Sequence, residues 1–277
     1  MSTNLVIQGP AKPADLEQLA GLSGASSMDT LSDHAWRLRN AKRRDGVAGY
    51  CETANLDYAF VPAGKKLADF GLVAMDMDST LITGECIDEI ADLMGVRDKV
   101  ADITAGAMRG DIEFRESLLQ RVALLAGLPE SELQRVYDQR LTLSPGAETM
   151  LAKLKSLGIR TLLVSGGFSF FTDRLQQRLG IDYTLSNAFE IDKGRLTGRV
   201  HGAIIGARSK ADELVRCARE LNLARDRMIA IGDGANDLPM MAAAGVSIAY
   251  RAKPVVREQA TYSFNHVGLD GLLHLYP

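Results

Sequence analysis

The amino-acid sequence predicts an α/β fold: a Rossmann-like parallel sheet with helices on both faces. An inserted helical-bundle cap, a small β-hairpin insertion and a small N-terminal α+β appendage complete the prediction. Short apolar runs recur along the chain, each ends abruptly in small or polar residues, and segments of helical periodicity alternate with them. Runs rich in Val, Ile and Leu fit strands buried on both faces. Alternating strands and helices indicate right-handed parallel crossovers in a layered domain.

Apolar runs are the predicted strands of the main sheet, at 70–75, 160–164, 227–231 and 246–250. Two helices are predicted between them. The first starts at Ser144 and Pro145, because Pro is favoured at the first helical position. The second covers 211–223, and both carry an apolar stripe at helical spacing.

Two insertions interrupt this alternation. Residues at about 84–143 have helical periodicity and predict the cap, and residues at about 183–201 predict the hairpin, with its turn in "IDKGRL". Together with the sheet they form a predicted main domain, 70–277. Residues 1–69 are predicted to be a separate small α+β appendage of unknown role. Its strands are expected at 5–7 and 58–61, and its helix at 14–22.

Composition narrows the function classes. The net charge of −3 and the pI near 5.9 give no reason to expect a nucleic acid or an anionic membrane as partner. The first residues have no basic segment followed by a long apolar one, and no stretch is apolar enough for a membrane span. The three cysteines are far apart, so neither a disulfide framework nor a cysteine metal site is expected, and Cys86 is predicted to be a buried small residue. We therefore predict a cytoplasmic protein and allow for a homodimer.

Polar side chains follow three of the predicted strands. Asp76 and Asp78 come after the first strand, Ser165 after the second and Asp233 after the third, while Lys210 precedes the second predicted helix. Ligands of open parallel sheets bind beyond the carboxyl ends of the strands. Carboxylates that converge there repel each other unless a cation joins them, and Mg²⁺ prefers oxygen ligands.

The remaining groups at these strand ends suit a phosphoryl group. Ser165 offers a hydroxyl, Gly166 and Gly167 offer backbone N–H groups at a turn expected to open a helix, and Lys210 offers a positive charge. One carboxylate could attack phosphorus and form an aspartyl-phosphate. The second could protonate the leaving oxygen and then deprotonate the water that hydrolyses the intermediate.

Four segments resemble, in chain order, the motifs of the haloacid-dehalogenase-like phosphatases: "DMDST" at 76–80, "SGG" at 165–167, Lys210, and "GDGAND" at 232–237. Longer stretches, "MDMDSTLITGECIDEIA", "AMRGDIEFRESLLQRVALL" and "AYRAKPVVREQA", are similar to the members of that family that hydrolyse an amino acid phosphate. The resemblance covers roughly 70–265 and does not extend to the first 69 residues.

The resemblance implies roles for individual residues. Asp76 would be the nucleophile and Asp78 the general acid/base. Mg²⁺ would be held by the side chains of Asp76 and Asp233 and the backbone carbonyl of Asp78, with Asp237 supporting the metal site from behind. The phosphoryl group would be bound by Ser165, Gly166 and Lys210, with Asn236 beside it.

The resemblance also implies O-phospho-L-serine as substrate, in the last step of L-serine biosynthesis. Glu85 would bind its ammonium group and Arg121 its carboxylate, and Met108 and Phe114 of the cap would close over it. Gly84 and Leu119 depart from frequent family sequences, but neither lies in the four motifs.

Three alternatives stay open. A phosphotransferase would pass the phosphoryl group from Asp76 to another hydroxyl, such as that of homoserine. A phosphatase for another small phosphate ester would have no need of Glu85 and Arg121. A binding protein without catalysis is disfavoured, because both Asp76 and Asp78 are present.

Overall fold

The computed structural model describes residues 2–276, apart from the side chain of Met108. Its strands are β1 (Thr3–Gln8), β2 (Ser27–Ser32), β3 (Ala35–Arg39), β4 (Asp57–Pro62), β5 (Leu72–Met75), β6 (Arg160–Phe168), β7 (Tyr183–Asp192), β8 (Arg195–His201), β9 (Met228–Gly232), β10 (Val246–Tyr250) and β11 (Tyr262–Phe264). Its helices are α1 (Pro13–Ser23), α2 (Val47–Ala54), α3 (Cys86–Leu93), α4 (Arg97–Arg109), α5 (Phe114–Ala123), α6 (Glu130–Gln139), α7 (Ala147–Ser156), α8 (Ser169–Leu179), α9 (Ala207–Glu220), α10 (Leu238–Ala243), α11 (Pro254–Arg257) and α12 (Gly271–Leu275).

The main sheet has seven strands in the order β11-β10-β9-β5-β6-β7-β8. All neighbouring pairs are parallel except β7 and β8, which form the hairpin. The central strand β5 is buried on both faces: Val73 and Met75 join one hydrophobic core, Leu72 and Ala74 the other. Helices α7 and α8 pack on the first face, and α9 and α10 on the second. The predicted fold class is confirmed.

Several predicted boundaries move. Strand β5 begins at Leu72 instead of 70, and α7 begins at Ala147 instead of Ser144, because Gly146 is in the left-handed region with φ 75° and precedes the helix. Gly166 and Gly167 do not form a turn at a helix start. They extend β6 to Phe168, which pairs with Asn187 of β7.

The position of Lys210 also differs from the prediction. Helix α9 begins at Ala207, so Lys210 lies in its first turn instead of ahead of the helix. Since side chains of a helix's first turn reach the region that the helix N-terminus faces, this placement sends Lys210 toward the carboxyl edge of the sheet.

Four helices, α3 to α6, form the cap between β5 and α7. The chain enters and leaves the cap side by side: Ile82 and Leu143 form an antiparallel bridge, and the Thr83 N–H donates to the Thr142 carbonyl at 3.0 Å. The hairpin contacts the cap as well, because Leu196 exchanges backbone hydrogen bonds with Gly127 and Leu128 at 2.8 and 2.9 Å.

Residues 2–62 form a second sheet, antiparallel, in the order β2-β3-β1-β4. Alternate residues of β1 face opposite sides: Leu5 and Ile7 pack under α1 and α2, whereas Val6 joins the core of the main sheet. The Asp57 carboxylate accepts three backbone N–H bonds from residues 265–267, at 2.8, 2.8 and 3.0 Å. Polar and apolar contacts therefore attach this sheet to the C-terminal segment.

Among residues 2–276, the helices are all too short or too polar to cross a membrane.

Candidate active site

The predicted catalytic side chains converge at the carboxyl edge of the main sheet. Strand β5 ends directly before Asp76, β6 contains Ser165, and β9 ends directly before Asp233. A cleft of about 600 Å³ lies between this edge and the cap, and both sides contribute to its lining. The parallel register of β5 with β6 and β9 brings these strand ends together, although they are far apart in sequence.

Lys210 lies between two carboxylates. Its Nζ is 2.8 Å from Asp76 Oδ1 and 2.7 Å from Asp237 Oδ1, and the lysine side chain is 1% exposed. Burial lowers the pKa of Lys210, but the charges of Asp76 and Asp237 outweigh it and the net pKa lies above its ordinary value. The ammonium group therefore stays charged.

Three carboxylates form a cluster around this lysine. Asp76, Asp233 and Asp237 each offer one oxygen, and these oxygens lie within 4.8 Å of one another. Burial, followed by the charge of Asp237, raises the pKa of Asp233 to about 6. One lysine leaves this cluster with surplus negative charge, so the donor set fits a hard divalent cation with oxygen ligands.

Neighbouring groups hold the cluster in place. Thr80 donates from its hydroxyl to Asp233 Oδ1 at 3.2 Å. The second oxygen of Asp237 accepts the N–H groups of Asp233 and Gly234, at 3.2 and 3.1 Å. Asp237 thus bonds both to Lys210 and to the loop that carries Asp233.

Asp78 is held apart from this cluster. Its Oδ1 accepts the backbone N–H of Cys86 at 2.8 Å, and its Oδ2 accepts the Ser165 hydroxyl at 3.3 Å. Ser165 Oγ in turn accepts the Gly167 N–H at 2.8 Å. Burial raises the pKa of Asp78, which favours the protonated form that a general acid needs.

Glu85 and Arg121 both line the same cleft. Ser79 donates its hydroxyl to Glu85 Oε1 at 3.1 Å, and burial, followed by the charge of Asp78, raises the pKa of Glu85 to about 7. Arg121 donates from Nε to the Ser117 carbonyl at 3.3 Å, and its guanidinium forms no ion pair within 4.0 Å among the described side chains. An acid and a base are thus available in the cleft.

Phe114 of the cap and Asn236 at the sheet edge both line the cleft. The Phe114 ring lies over backbone at the sheet edge: a Cβ placed on Gly166 or on Gly206 would be 3.5 Å from it. Asn236 lines the cleft beside Asp233. The backbone of Met108 lies in α4, but its side chain falls outside the described residues.

Two residues with contacts in the site, Asn187 and Cys86, were not predicted from the sequence to have a role there. Asn187 is 1% exposed and bridges two segments: it donates to the Gly166 carbonyl at 2.8 Å and accepts the Ile205 N–H at 2.8 Å. Cys86 is buried as predicted, yet it contacts Asp78. A single Asn in a strand and a single Cys at a helix start carry no pattern that would have identified them.

Comparison with known proteins agrees with this geometry. The family model of the haloacid dehalogenase-like hydrolases matches residues 73–242, and a model described as a domain of unknown function matches residues 5–47. The phosphoserine phosphatase of Polaromonas sp. strain JS666 is 53% identical over 215 residues, which are 76% of this chain and 91% of that protein. The chain belongs to the haloacid dehalogenase-like hydrolases, and within them to the group of the phosphoserine phosphatases.

Solved structures give the same result. A probable phosphoserine phosphatase from Vibrio cholerae, in unliganded form, has a TM-score of 0.87 at 36% identity, covering 99% of this chain and 86% of that one. A substrate-bound phosphoserine phosphatase complex has a TM-score of 0.70 at 36% identity, covering 75% of this chain and 99% of that one. The family resemblance predicted from the motifs is confirmed. The expectation that it does not extend to the first 69 residues is wrong, because the likeness to the Vibrio cholerae structure covers 99% of this chain.

Proposed function

We propose that this enzyme hydrolyses O-phospho-L-serine to L-serine and phosphate through an aspartyl-phosphate, with Mg²⁺ as cofactor. One observation carries the proposal: a single cleft contains Asp76 and Asp78, which suit phosphoryl transfer, and also Glu85 and Arg121. An amino acid phosphate has an ammonium and a carboxylate besides its phosphate, so it needs one acid and one base for recognition. The names of the relatives support the same substrate.

Asp76 is the proposed nucleophile. Its Oδ1 accepts the Met77 N–H at 2.7 Å and lies 2.8 Å from Lys210 Nζ, so we assign the attack on phosphorus to Oδ2. Lys210 neutralises charge on the carboxylate and on the phosphoryl group next to it. The attack forms the bond from Asp76 to phosphorus and breaks the bond from phosphorus to the serine oxygen.

Asp78 is the proposed general acid and base. In its protonated form it donates a proton to the departing serine oxygen, and it is then a carboxylate. That carboxylate takes a proton from the water that attacks phosphorus, which releases phosphate and restores both aspartates. Ser165 and the backbone of Gly166 hold the phosphoryl oxygens during both steps.

The carboxylate cluster is the proposed metal site. Asp76 and Asp233 would hold Mg²⁺ together with the backbone carbonyl of Asp78, with Asp237 beside them; the bound ion supplies the positive charge that the carboxylates and the phosphoryl oxygens lack. In the same cleft, Glu85 would bind the ammonium and Arg121 the carboxylate. Phe114 and Met108 would cover the substrate, which excludes water during transfer.

A panel of phosphate esters tests the substrate. With Mg²⁺, we expect phosphate release from O-phospho-L-serine to exceed that from phosphoethanolamine, which lacks the carboxylate, and from phosphoglycerate, which lacks the ammonium, by about 100-fold or more in kcat/KM. Equal rates across the panel would contradict the assigned substrate. Adding homoserine separates hydrolysis from transfer, because a phosphotransferase would form phosphohomoserine at the expense of free phosphate.

Removal of divalent cations tests the metal site. EDTA is expected to abolish phosphate release from phosphoserine, and excess Mg²⁺ to restore it, because the cluster has one lysine for three carboxylates. Differential scanning fluorimetry gives an independent readout: Mg²⁺ should raise the melting temperature of the wild type, and Asp233→Asn should reduce that rise. Activity that is unchanged by both EDTA and Mg²⁺ would refute the metal assignment.

The place of the reaction in serine biosynthesis, the cytoplasmic location of the protein and the homodimer stay predictions.

A further inference from the structure

Strand β6 bulges where it provides the proposed phosphoryl-binding groups. Its pairing with β7 advances from Val164 opposite Leu185 to Phe168 opposite Asn187, so residues 165–167 of β6 lie against the single residue 186 of β7. A bulge leaves its extra residues without partners in the ladder and redirects the backbone, and bulges are common beside active sites. This bulge places Gly166 at the cleft, where its carbonyl needs a partner other than the ladder.

The side chain of Asn187 is that partner. Asn187 is 1% exposed, and its Nδ2 donates to the Gly166 carbonyl at 2.8 Å. The same amide group holds Ile205: Oδ1 accepts the Ile205 N–H at 2.8 Å, and Nδ2 donates to the Ile205 carbonyl at 3.3 Å. Because a backbone N–H can only donate, Oδ1 must face it, and Nδ2 is left for the two carbonyls. One buried amide group thus joins the bulge to a segment remote in sequence.

That segment leads directly into helix α9, which carries Lys210. Gly206 follows Ile205 and immediately precedes the helix, and its carbonyl accepts the Lys210 N–H at 3.1 Å. Residues 202–206 are irregular in structure, so the bonds from Asn187 attach the start of α9 to the bulge. The separation between the Gly166 backbone and Lys210 therefore depends on one amide group.

The cap contacts both of the segments that Asn187 joins. A Cβ placed on Gly166 would lie 3.5 Å from Phe114 Cζ, and one placed on Gly206 would lie 3.5 Å from Cδ1 and Cε1 of the same ring. The Phe114 ring therefore lies across the junction of the bulge with the start of α9. A change in the separation of these segments would also change the surface that receives the cap.

We propose that Asn187 is a positioning residue that fixes the Gly166 backbone and Lys210 at the separation needed to bind one phosphoryl group. The inference rests on the proposed function, in which both groups contact the phosphoryl oxygens. Small displacements of such groups cost much of their effect in the transition state. Because the phosphoryl group is common to all phosphate esters, loss of the amide should affect every ester, in contrast to loss of Arg121.

The test replaces Asn187 by Leu, which has nearly the same shape but no hydrogen-bonding atoms in its side chain. With Mg²⁺, kcat/KM for phosphoserine and for p-nitrophenyl phosphate is expected to fall by the same factor, about 10- to 100-fold. Inhibition by vanadate, which occupies the phosphoryl site, should weaken about tenfold, whereas inhibition by L-serine, which lacks a phosphoryl group, should stay within about twofold. A loss of packing alone would not separate the two inhibitors.

Thr172→Val is the matched control. Thr172 is fully buried on α8, and its hydroxyl shares a hydrogen bond of 2.9 Å with Ser186, the neighbour of Asn187 on β7. T172V removes this bond with little change of shape, so it should lower the melting temperature while kcat/KM and vanadate inhibition stay as in wild type. Should N187L fold poorly beside T172V, Asn187→Ser, whose side chain is too short to reach both segments, replaces it.

The outcomes separate the inference from the proposed function. If wild type hydrolyses p-nitrophenyl phosphate but not phosphoserine, the assigned substrate fails, and the effects of N187L on the aryl ester and on vanadate still decide the role of Asn187. If wild type prefers phosphoserine while N187L keeps the wild-type kcat/KM and vanadate inhibition, that role is overturned and the function stands. A loss confined to phosphoserine, or an equal loss in T172V, would also overturn it.

Discussion

Asp76→Asn is expected to lower phosphate release from phosphoserine by at least about 10³-fold, because an amide cannot form the aspartyl-phosphate. The phospho-enzyme that wild type accumulates in an acid-quenched reaction should be absent from the variant. The fold should persist, since Asn has nearly the shape of Asp and Lys210 keeps its bond to Asp237 at 2.7 Å.

Stability gives this prediction a second measurement. Burial, followed by the charge of Asp237, raises the pKa of Asp76 well above its ordinary value. A carboxyl group whose folded-state pKa is raised costs stability once the pH exceeds its ordinary pKa, so the charged form is unfavourable at neutral pH without a metal. In EDTA, the melting temperature of D76N is therefore expected to equal or exceed that of wild type.

The matched control for Asp76→Asn is Asp173→Asn, an exposed aspartate on α8. It should leave both the phosphate release and the phospho-enzyme level unchanged. Retained turnover in D76N, or a phospho-enzyme in its acid-quenched reaction, would sink the covalent mechanism while leaving the substrate assignment intact.

Arg121→Ala is expected to lower kcat/KM for phosphoserine by about 100- to 1000-fold, because a buried carboxylate loses its charged, two-pronged partner. The same variant should change kcat/KM for p-nitrophenyl phosphate by less than about threefold, since that ester has no carboxylate. Arg121→Lys should fall between, as it keeps the charge but loses the planar fork. Steady-state kinetics on both esters measure the difference.

The structure offers a control on the same helix. Arg115 is exposed on α5, whereas Arg121 lines the cleft and donates to the Ser117 carbonyl. Arg115→Ala should leave both substrates unaffected. Equal losses in R121A on phosphoserine and on the aryl phosphate would show that Arg121 supports the cap as a whole, and would remove it from the specificity pocket.

Much of the fold was predictable because the relevant signals are local. Buried strands of a parallel sheet need short apolar runs, so β5, β9 and β10 were visible within one or two residues of their observed bounds. A turn sequence predicted the hairpin between Tyr183 and His201, and helical periodicity predicted the segment that forms the cap. The ends of the strands and helices were harder to predict. Gly166 and Gly167 are typical turn residues, but β6 continues through them because Phe168 pairs with Asn187 of β7.

Residue types and chain order thus determined the class of the protein: Asp76, Asp78, Ser165, Lys210 and Asp233 follow or flank successive buried segments, and parallel strands bring such segments to one edge. The tertiary structure alone decided how these groups divide their contacts. Lys210 bonds to Asp76 and Asp237, Asn187 joins strand β6 to the segment before α9, and Cys86 donates its backbone N–H to Asp78. Such contacts depend on distances between segments remote in sequence, and no local periodicity encodes them.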